Sequence, residues 1–256
     1  MRNILSILLV SVLLIGCSEN RVLIDELTNK GTEESPIMYS EKGLFNGIGF
    51  DVYKNGKLKY EGNWKDGKRD KFHKHWYENG QLNDESNWKD GKIDGLHKKW
   101  FRNGQLNYEN NWEDGKLDGI EKYYYESGQI EYEWNYKDGK RDGIYKSWYD
   151  NGQLNNEGKF KDEKQNGLWE TWSENGQLLS EISFKNGKKD GIHKSWYDNG
   201  QLKFICNYKD GKRDGIEKEY YENGQLRWVI NYKDGKRDGI SKFYKVNGQS
   251  DGERIY

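Results

Sequence analysis

The chain has 256 residues, of which 33% are hydrophobic, 15% are aromatic and 33% are charged. Its 42 basic and 43 acidic residues leave a net charge of −1, which excludes the basic surface expected of a nucleic-acid-binding protein. The 11 Trp and 19 Tyr residues argue against a disordered chain, because disordered segments are poor in aromatic residues.

The N-terminus has the pattern of a cleaved export signal. Arg2 precedes an apolar run from Ile4 to Ile15 that is too short to span a membrane comfortably. The run ends in Leu14-Ile15-Gly16-Cys17, which resembles the bacterial lipobox, where a signal peptidase cuts before a lipid-modified cysteine. We therefore expect a lipoprotein signal peptide at residues 1–16 and lipid attachment at Cys17. The alternative is a plain secretory signal followed by a chance cysteine.

The next segment, residues 17–42, is polar, lacks a clear period and contains the only proline, Pro36. It is interpreted as a tether between the lipidated cysteine and the rest of the protein. Ser18, rather than aspartate, follows the cysteine. In a Gram-negative host this residue favours the outer membrane, so the expected location is a membrane-anchored lipoprotein outside the cytoplasm.

Residues 43–256 are built from a repeat of 24 residues. The glycine that follows the recurrent asparagine shows the period. It lies at Gly56, Gly80, Gly104, Gly128, Gly152, Gly176, Gly200, Gly224 and Gly248. Two further glycine series keep the same step, which identifies a tandem array.

Each unit has the pattern of a β-hairpin. In one unit, Ile144–Tyr149 and Leu154–Phe160 are the predicted strands, and Asn151-Gly152 is a hairpin turn signal. Lys137–Gly143 is the predicted connector from the preceding unit. Apolar residues alternate with polar ones along the return strands, which favours strands with one apolar face over helix. We therefore predict an all-β fold, an elongated single-layer antiparallel meander whose terminal units fray or act as caps.

The hairpin register has two alternatives. A two-residue turn places Lys98 opposite Glu109, which is a favourable cross-strand pair. A three-residue loop with a glycine bulge instead places Trp100 beside Leu106 and buries these apolar groups together. We favour the bulged loop, and we expect it to exclude the direct pairing of Lys98 with Glu109.

The segment Tyr60-Glu61-Gly62-Asn63-Trp64-Lys65-Asp66-Gly67-Lys68 closely resembles the core of the MORN repeat. The stretch from about Gly43 to Tyr256 resembles the bacterial MORN-variant family, whose members include proteins labelled YwqK-type antitoxins. The glycine at position 62 is kept only at Gly158 among the other units. The resemblance implies an elongated β-sheet used for protein or membrane contact, and it implies no reaction.

The sequence shows no unique constellation for catalysis, and we expect neither enzymatic activity nor a cofactor. His73 and His75 share a strand face and could approach one metal ion, but we interpret them as ordinary surface histidines. Cys206 occupies the position of Ile182 and Ile230 in other units, so we interpret it as a buried small residue.

A recurrent aromatic residue is the candidate binding feature. It immediately follows the tryptophan or tyrosine position of each unit, so the two rings point to opposite faces and one set should stay partly exposed. The candidate binding stripe consists of Tyr77, Phe101, Tyr125, Tyr149, Tyr197 and Tyr221. Shielding of a thin sheet is the alternative explanation.

We expect a lipid-anchored, non-catalytic scaffold that binds a protein partner at the cell envelope, with an immunity-like or antitoxin-like role as one form of that function. A cell-wall glycan-binding module is the alternative, because sugars stack on exposed rings. The membrane is expected as a partner through the lipid, and nucleic acid is not.

Overall fold

The computed structural model describes residues 20–256, and nearly all of this part of the chain forms β-strands. The N-terminal part contains β1 (Arg21–Leu23), a 3-10 helix (Ile24–Glu26), β2 (Thr28–Asn29), β3 (Met38–Ser40) and β4 (Gly43–Leu44). The array contains β5 (Gly47–Val52), β6 (Leu58–Lys65), β7 (Lys68–Trp76), β8 (Leu82–Lys89), β9 (Lys92–Trp100), β10 (Leu106–Glu113), β11 (Lys116–Leu117), β12 (Gly119–Tyr124), β13 (Ile130–Lys137), β14 (Lys140–Trp148), β15 (Leu154–Lys161), β16 (Lys164–Gln165), β17 (Gly167–Trp172), β18 (Leu178–Lys185), β19 (Lys188–Trp196), β20 (Leu202–Lys209), β21 (Lys212–Arg213), β22 (Gly215–Tyr220), β23 (Leu226–Lys233), β24 (Lys236–Arg237), β25 (Ile240–Tyr244) and β26 (Ser250–Ile255).

Strands β5 to β26 follow one another across a single sheet with antiparallel pairing between neighbours. The short strands β11, β16, β21 and β24 pair with the same strand as the segment that follows each of them. Together with β1, which pairs in parallel with β5, they form an open sheet of 23 strands in the described part of the chain. The predicted all-β, elongated antiparallel meander is confirmed.

The turns at the two ends of the strands, along the two long sides of the sheet, are of different types. Asp138 and Gly139 both have positive φ, at 50° and 79°, and the pair Lys137–Lys140 closes them into a two-residue turn of the I′ kind. At the opposite edge only Gly152 has positive φ, and the Tyr149 amide donates to the Gln153 carbonyl at 2.9 Å. That turn is a three-residue loop. The seven-residue connector predicted from 137 to 143 is wrong, because β14 already begins after the two-residue turn.

The hairpin register combines both alternatives considered from the sequence. Trp100 pairs with Leu106 next to the loop, as the bulged form requires. One residue of β10 is then skipped, and Lys98 pairs directly with Glu109. The three-residue loop is confirmed, and the expectation that it excludes the Lys98–Glu109 pair is wrong. A bulge at residue 107, in addition to the one in the loop, compensates for the one-residue shift in register that the loop introduces.

The first hairpin of the array is covered by an N-terminal cap, defined here as residues 20–46. The Ile48 amide donates to the Asn20 carbonyl at 2.8 Å, and the Met38 amide donates to the Gly67 carbonyl at 2.7 Å. Met38, Phe45 and Trp64 form a buried cluster. It is extended by the partly buried side chains of Val22, Ile24, Leu27 and Tyr60.

The prediction of a polar tether over residues 17–42 is therefore wrong for its described part, residues 20–42. The polar composition of that segment conceals a few apolar side chains that each meet the first hairpin, and their spacing has no helical or strand period. The cap protects an end of the sheet that would otherwise expose unpaired backbone groups. The predicted signal peptide at 1–16 and the lipid attachment residue Cys17 lie outside the described residues.

Candidate functional site

The two faces of the sheet have different chemistry. Alternation along β14 sends Tyr145 and Ser147 to one face, and Ile144, Lys146 and Trp148 to the other. We call the first the packed face and the second the ladder face. The same alternation holds for the equivalent positions in each hairpin.

The packed face is nearly sealed by its own side chains. Ring centroids lie 5.2 Å apart between Tyr108 and Tyr123 and 4.5 Å apart between Tyr123 and Tyr132. Burial raises the pKa of each of these three phenols. Buried residues of this face include Cys206, Ile230 and Tyr232 together with the polar His73, Ser86, Asn110, Glu121, Ser147, Glu217 and Ser241. This face therefore supplies the core of a sheet that has no second layer.

His73 is a structural residue of this core. Its Nδ1 lies 2.8 Å from the Tyr60 hydroxyl and its Nε2 lies 2.8 Å from the Asn63 carbonyl. Because the carbonyl only accepts, Nε2 donates to it and Nδ1 accepts from the hydroxyl. Burial lowers the pKa of His73 to about 3, so the ring is neutral at physiological pH. Both ring nitrogens are engaged, which removes His73 from the candidate metal pair with His75.

Cys206 is fully buried, as its apolar position in the repeat predicts. Burial is also the main reason that the pKa of its thiol is raised to about 12. A thiol in this state is a poor nucleophile and a poor metal ligand. Within residues 20–256, no group of three or more histidine, cysteine, aspartate or glutamate side chains is arranged to hold a metal ion.

The candidate binding stripe lies at the three-residue loops, where its hydroxyls join neighbouring units. The Tyr149 hydroxyl donates to the Trp172 carbonyl at 2.9 Å, and the Tyr77 hydroxyl donates to the Trp100 carbonyl at 2.8 Å. The same bond to the carbonyl 23 residues later is made by Tyr125, Tyr197 and Tyr221. Phe101 has no hydroxyl, and Ser173 stands where the next unit would continue the series.

These six side chains are half-buried, and the five hydroxyls are committed to the sheet. This arrangement supports the shielding explanation of the stripe. A binding role for Tyr77, Phe101, Tyr125, Tyr149, Tyr197 and Tyr221 stays a prediction.

The ladder face carries a row of charged residues along its middle, of which the pair Lys98–Glu109 was considered from the sequence. Each residue of the row is directly opposite the next one on the neighbouring strand. From the N-terminal end the row reads Glu61, Lys74, Glu85, Lys98, Glu109, Lys122, Glu133, Lys146, Glu157, Glu170, Glu181, Lys194, Ile205, Lys218, Val229, Lys242 and Glu253. We call this row the charge ladder. Opposite charges alternate through its first half, and this alternation stabilises the pairing of strands.

The alternation breaks at Glu170. This residue lies between Glu157 and Glu181, which are its direct partners on the two neighbouring strands. Glu157 has an ion pair with Lys146 at 3.3 Å, and Glu181 has one with Lys194 at 3.2 Å. No lysine or arginine nitrogen of the described chain lies within 4.0 Å of the Glu170 carboxylate. Its pKa is raised, first by burial and then by the negative charges of Glu181 and Glu157.

A comparison of the repeat units would have revealed this position from the sequence. In all the remaining units except the first, the equivalent residue is lysine. These lysines are Lys74, Lys98, Lys122, Lys146, Lys194, Lys218 and Lys242. Glu170 was not predicted as a site residue, because within its own unit it is an ordinary charged strand residue.

Beside the charge ladder runs a row of exposed aliphatic side chains, one per hairpin. They are between 37% and 52% exposed, although they sit inside strands. The row consists of Leu96, Ile120, Ile144, Leu168, Ile192, Ile216 and Ile240. Exposed apolar groups arranged at a regular spacing of about 10 Å form an extended surface for association.

A cleft opens on the packed face beside the loops of the first two hairpins. It has a volume of about 380 Å³ and is lined by rings and charged groups, among them Tyr53, Tyr77, His75, Asp84 and Lys99. Lys99 Nζ lies 3.7 Å from the Asp84 carboxylate, and burial lowers the pKa of His75. The cleft combines aromatic surface with hydrogen-bonding groups, which is suitable for a polar ligand that has a ring.

No helix among residues 20–256 has the length and apolar character needed to cross a lipid bilayer.

Comparison with known proteins gives one family. The family described as "MORN repeat variant" matches residues 45–66, 73–90, 93–114, 117–138, 141–162, 165–186, 189–210 and 213–234. Each matched range is centred on one three-residue loop and its two strands. No curated protein matches the chain.

The hydroxyl bonds between units predict opposite effects for two matched substitutions. Tyr149→Phe removes the bond to the Trp172 carbonyl and should lower the free energy of unfolding by about 1 kcal/mol. Phe101→Tyr should raise it by about 0.5–1 kcal/mol, because the new hydroxyl can donate to the carbonyl of Tyr124. Urea unfolding followed by tryptophan fluorescence measures both. Equal stability of all three proteins would show that the bonds do not couple the units.

The buried His73 predicts a loss of stability in acid. Its pKa is about 3 in the folded protein and about 6.5 in the unfolded chain, so the unfolded chain takes up the proton first. The stabilising contribution is complete above pH 6.5 and is lost as the pH falls towards 3. His73→Gln should reduce the difference in unfolding free energy between pH 7 and pH 4 by roughly 2–3 kcal/mol. Parallel pH profiles for the two proteins would contradict this origin of acid sensitivity.

Proposed function

This chain belongs to the MORN repeat variant family, and from that premise we propose that it is a non-catalytic scaffold that binds a protein partner at the cell envelope. The main support is the ladder face, an open sheet surface with a regular row of exposed aliphatic side chains beside a row of charges. Such a surface offers many shallow contacts along its length, which suits an extended macromolecule.

Lipid attachment at Cys17 is the second part of the proposal. Only two residues separate Cys17 from Asn20, where the folded cap begins. A lipid on Cys17 would therefore hold the cap and the first hairpins close to the membrane surface. Several acyl chains give stable anchoring, whereas one chain does not. We place the protein outside the cytoplasm, on the outer membrane if the host is Gram-negative.

An immunity-like role is one form of this function. A repeated surface held at the membrane could capture a secreted or imported protein and block it, which agrees with the antitoxin label carried by some proteins that this chain resembles. Capture of this kind needs a tight and specific surface, and it needs no reactive group on the scaffold.

A cell-wall glycan is the second candidate ligand, and the cleft at the first two hairpins supports it. Tyr53 and Tyr77 supply ring surface there, while Asp84 and Lys99 supply an acceptor and donors for hydroxyl or amide groups. The cleft differs from the ladder face in position and chemistry, so separate variants test the two ligands.

The lipid attachment is tested with the two cysteines of the chain. Cys17→Ser should abolish metabolic labelling with radioactive palmitate and should move the protein from the membrane fraction to the soluble fraction. Cys206→Ser is the matched control and should leave both properties unchanged, because Cys206 is buried in the array. Retention of the label in Cys17→Ser would refute the assignment.

The protein-partner function is tested by photo-crosslinking in living cells. A photoreactive amino acid at Ile216, on the ladder face, should give discrete protein adducts, whereas one at the buried Ile230 should give none. Retention of the protein on purified peptidoglycan, lost in a variant with Asp84→Asn and Lys99→Ala, would support the glycan instead. Absence of adducts from Ile216 combined with such retention would replace the first function by the second.

A further inference from the structure

We propose that the ladder face around Glu170 docks a polypeptide segment in which a lysine or arginine is flanked two residues away by apolar side chains. The proposal rests on the protein-binding function above and specifies its site and its ligand. Its basis is the one position of the charge ladder where like charges lie opposite each other, together with the apolar side chains on both sides of that position.

The charge balance at this position calls for one additional cation. Glu157, Glu170 and Glu181 are consecutive in the ladder, and among residues 20–256 only Lys146 and Lys194 form ion pairs with them. The glutamates from Glu85 to Glu133 instead have a lysine on each side. Carboxylates directly opposite each other on paired strands repel, and Glu170 faces such a neighbour on both sides.

The fold itself does not require glutamate at this position. Seven other hairpins have lysine there and have the same hairpin pairing. Lysine at position 170 would replace two repulsive contacts by two attractive ones. Glu170 thus destabilises the sheet, whereas lysine at the equivalent positions stabilises it. A destabilising residue of this kind is expected where the residue is retained for binding.

The apolar groups around Glu170 specify what flanks the cation. Along β17, Leu168 lies two residues before Glu170 and is 48% exposed, and Trp172 lies two residues after it. Residues two apart on a strand are separated by about 6.8 Å. An extended segment lying along β17 has the same spacing, so a basic residue over Glu170 brings apolar residues over Leu168 and Trp172.

The neighbouring hairpins widen the apolar area on both sides of the charge ladder. Ile144 and Ile192 continue the exposed aliphatic row on one side of the ladder, and Trp148 and Trp196 occupy the position of Trp172 in the hairpins on either side. A segment that reads apolar, any residue, basic, any residue, apolar is therefore complementary to this part of the ladder face. A bare metal ion would leave both rows uncovered.

Selection from a random library of 12-residue peptides displayed on phage tests the proposal. Full-length protein is the bait, and the best peptide is synthesised and its affinity measured by fluorescence anisotropy. We expect enrichment of the pattern above and a loss of affinity of about tenfold or more in Glu170→Lys. Glu133→Gln is the matched control, because this glutamate is on the same face between two lysines, and it should change the affinity less than twofold.

The stability of Glu170→Lys is measured as well, to separate weaker binding from unfolding. Glu170→Lys should raise the urea midpoint of unfolding, so weaker binding by this variant cannot result from unfolding. A lower midpoint would contradict the repulsion on which the proposal depends.

Each of the following outcomes would refute the proposed site. Selected peptides that bind wild type and Glu170→Lys equally would leave protein binding intact and refute this location. A rise in melting temperature with calcium chloride alone, lost in Glu170→Gln, would make the site a cation site. A concentration-dependent dimer lost in Glu170→Lys would make a second copy of the chain the occupant. Failure to select any peptide, together with no adducts from Ile216, would refute the protein-binding function as well.

Discussion

A sheet one layer thick can bury a side chain only beneath its neighbours on the same face, and this constraint organises the whole molecule. On the packed face, Tyr, Trp, Phe and His rings lie against one another from strand to strand and form a core without a second layer. Large rings suit this task because each buries much surface for one residue. The constraint also explains how a chain with 33% hydrophobic residues folds.

The same constraint explains the polar residues of the core and the cap. Ser86, Asn110, Ser147 and Ser241 are buried on the packed face, where a second large ring at every position would overcrowd the strands. Asn110 is bonded to the indole of Trp112, so its burial does not leave its carbonyl unpaired. At the N-terminal end of the array, the described residues before β5 form no further repeat unit that could supply neighbours. The cap supplies them instead through Met38 and Phe45.

The ladder face is free of this packing requirement and can therefore differ between repeats at low cost. Its lysine and glutamate side chains are partly exposed, with ion pairs that contribute little individually. A single exception such as Glu170 is tolerated because the backbone pairing and the packed face hold the hairpin in place. The proposed association with another molecule and the stability of the array thus involve opposite faces of one sheet.

The sequence alone determined the repeat, the strand class and the position of the three-residue loops, because glycines with positive φ and alternating side chains are local features with a fixed period of 24 residues. It could not determine the register between strands. The loop at Asn103-Gly104 predicts that Trp100 pairs with Leu106. A bulge at Asn107, which depends on pairing along the whole strand, then shifts the register so that Lys98 pairs with Glu109. The cap was also beyond reach, since its few apolar residues acquire meaning only when the first hairpin lies beneath them. The aligned units mark Glu170 as an exception, but only strand pairing shows that it lies between Glu157 and Glu181, because charge neighbours in a sheet are set by tertiary register.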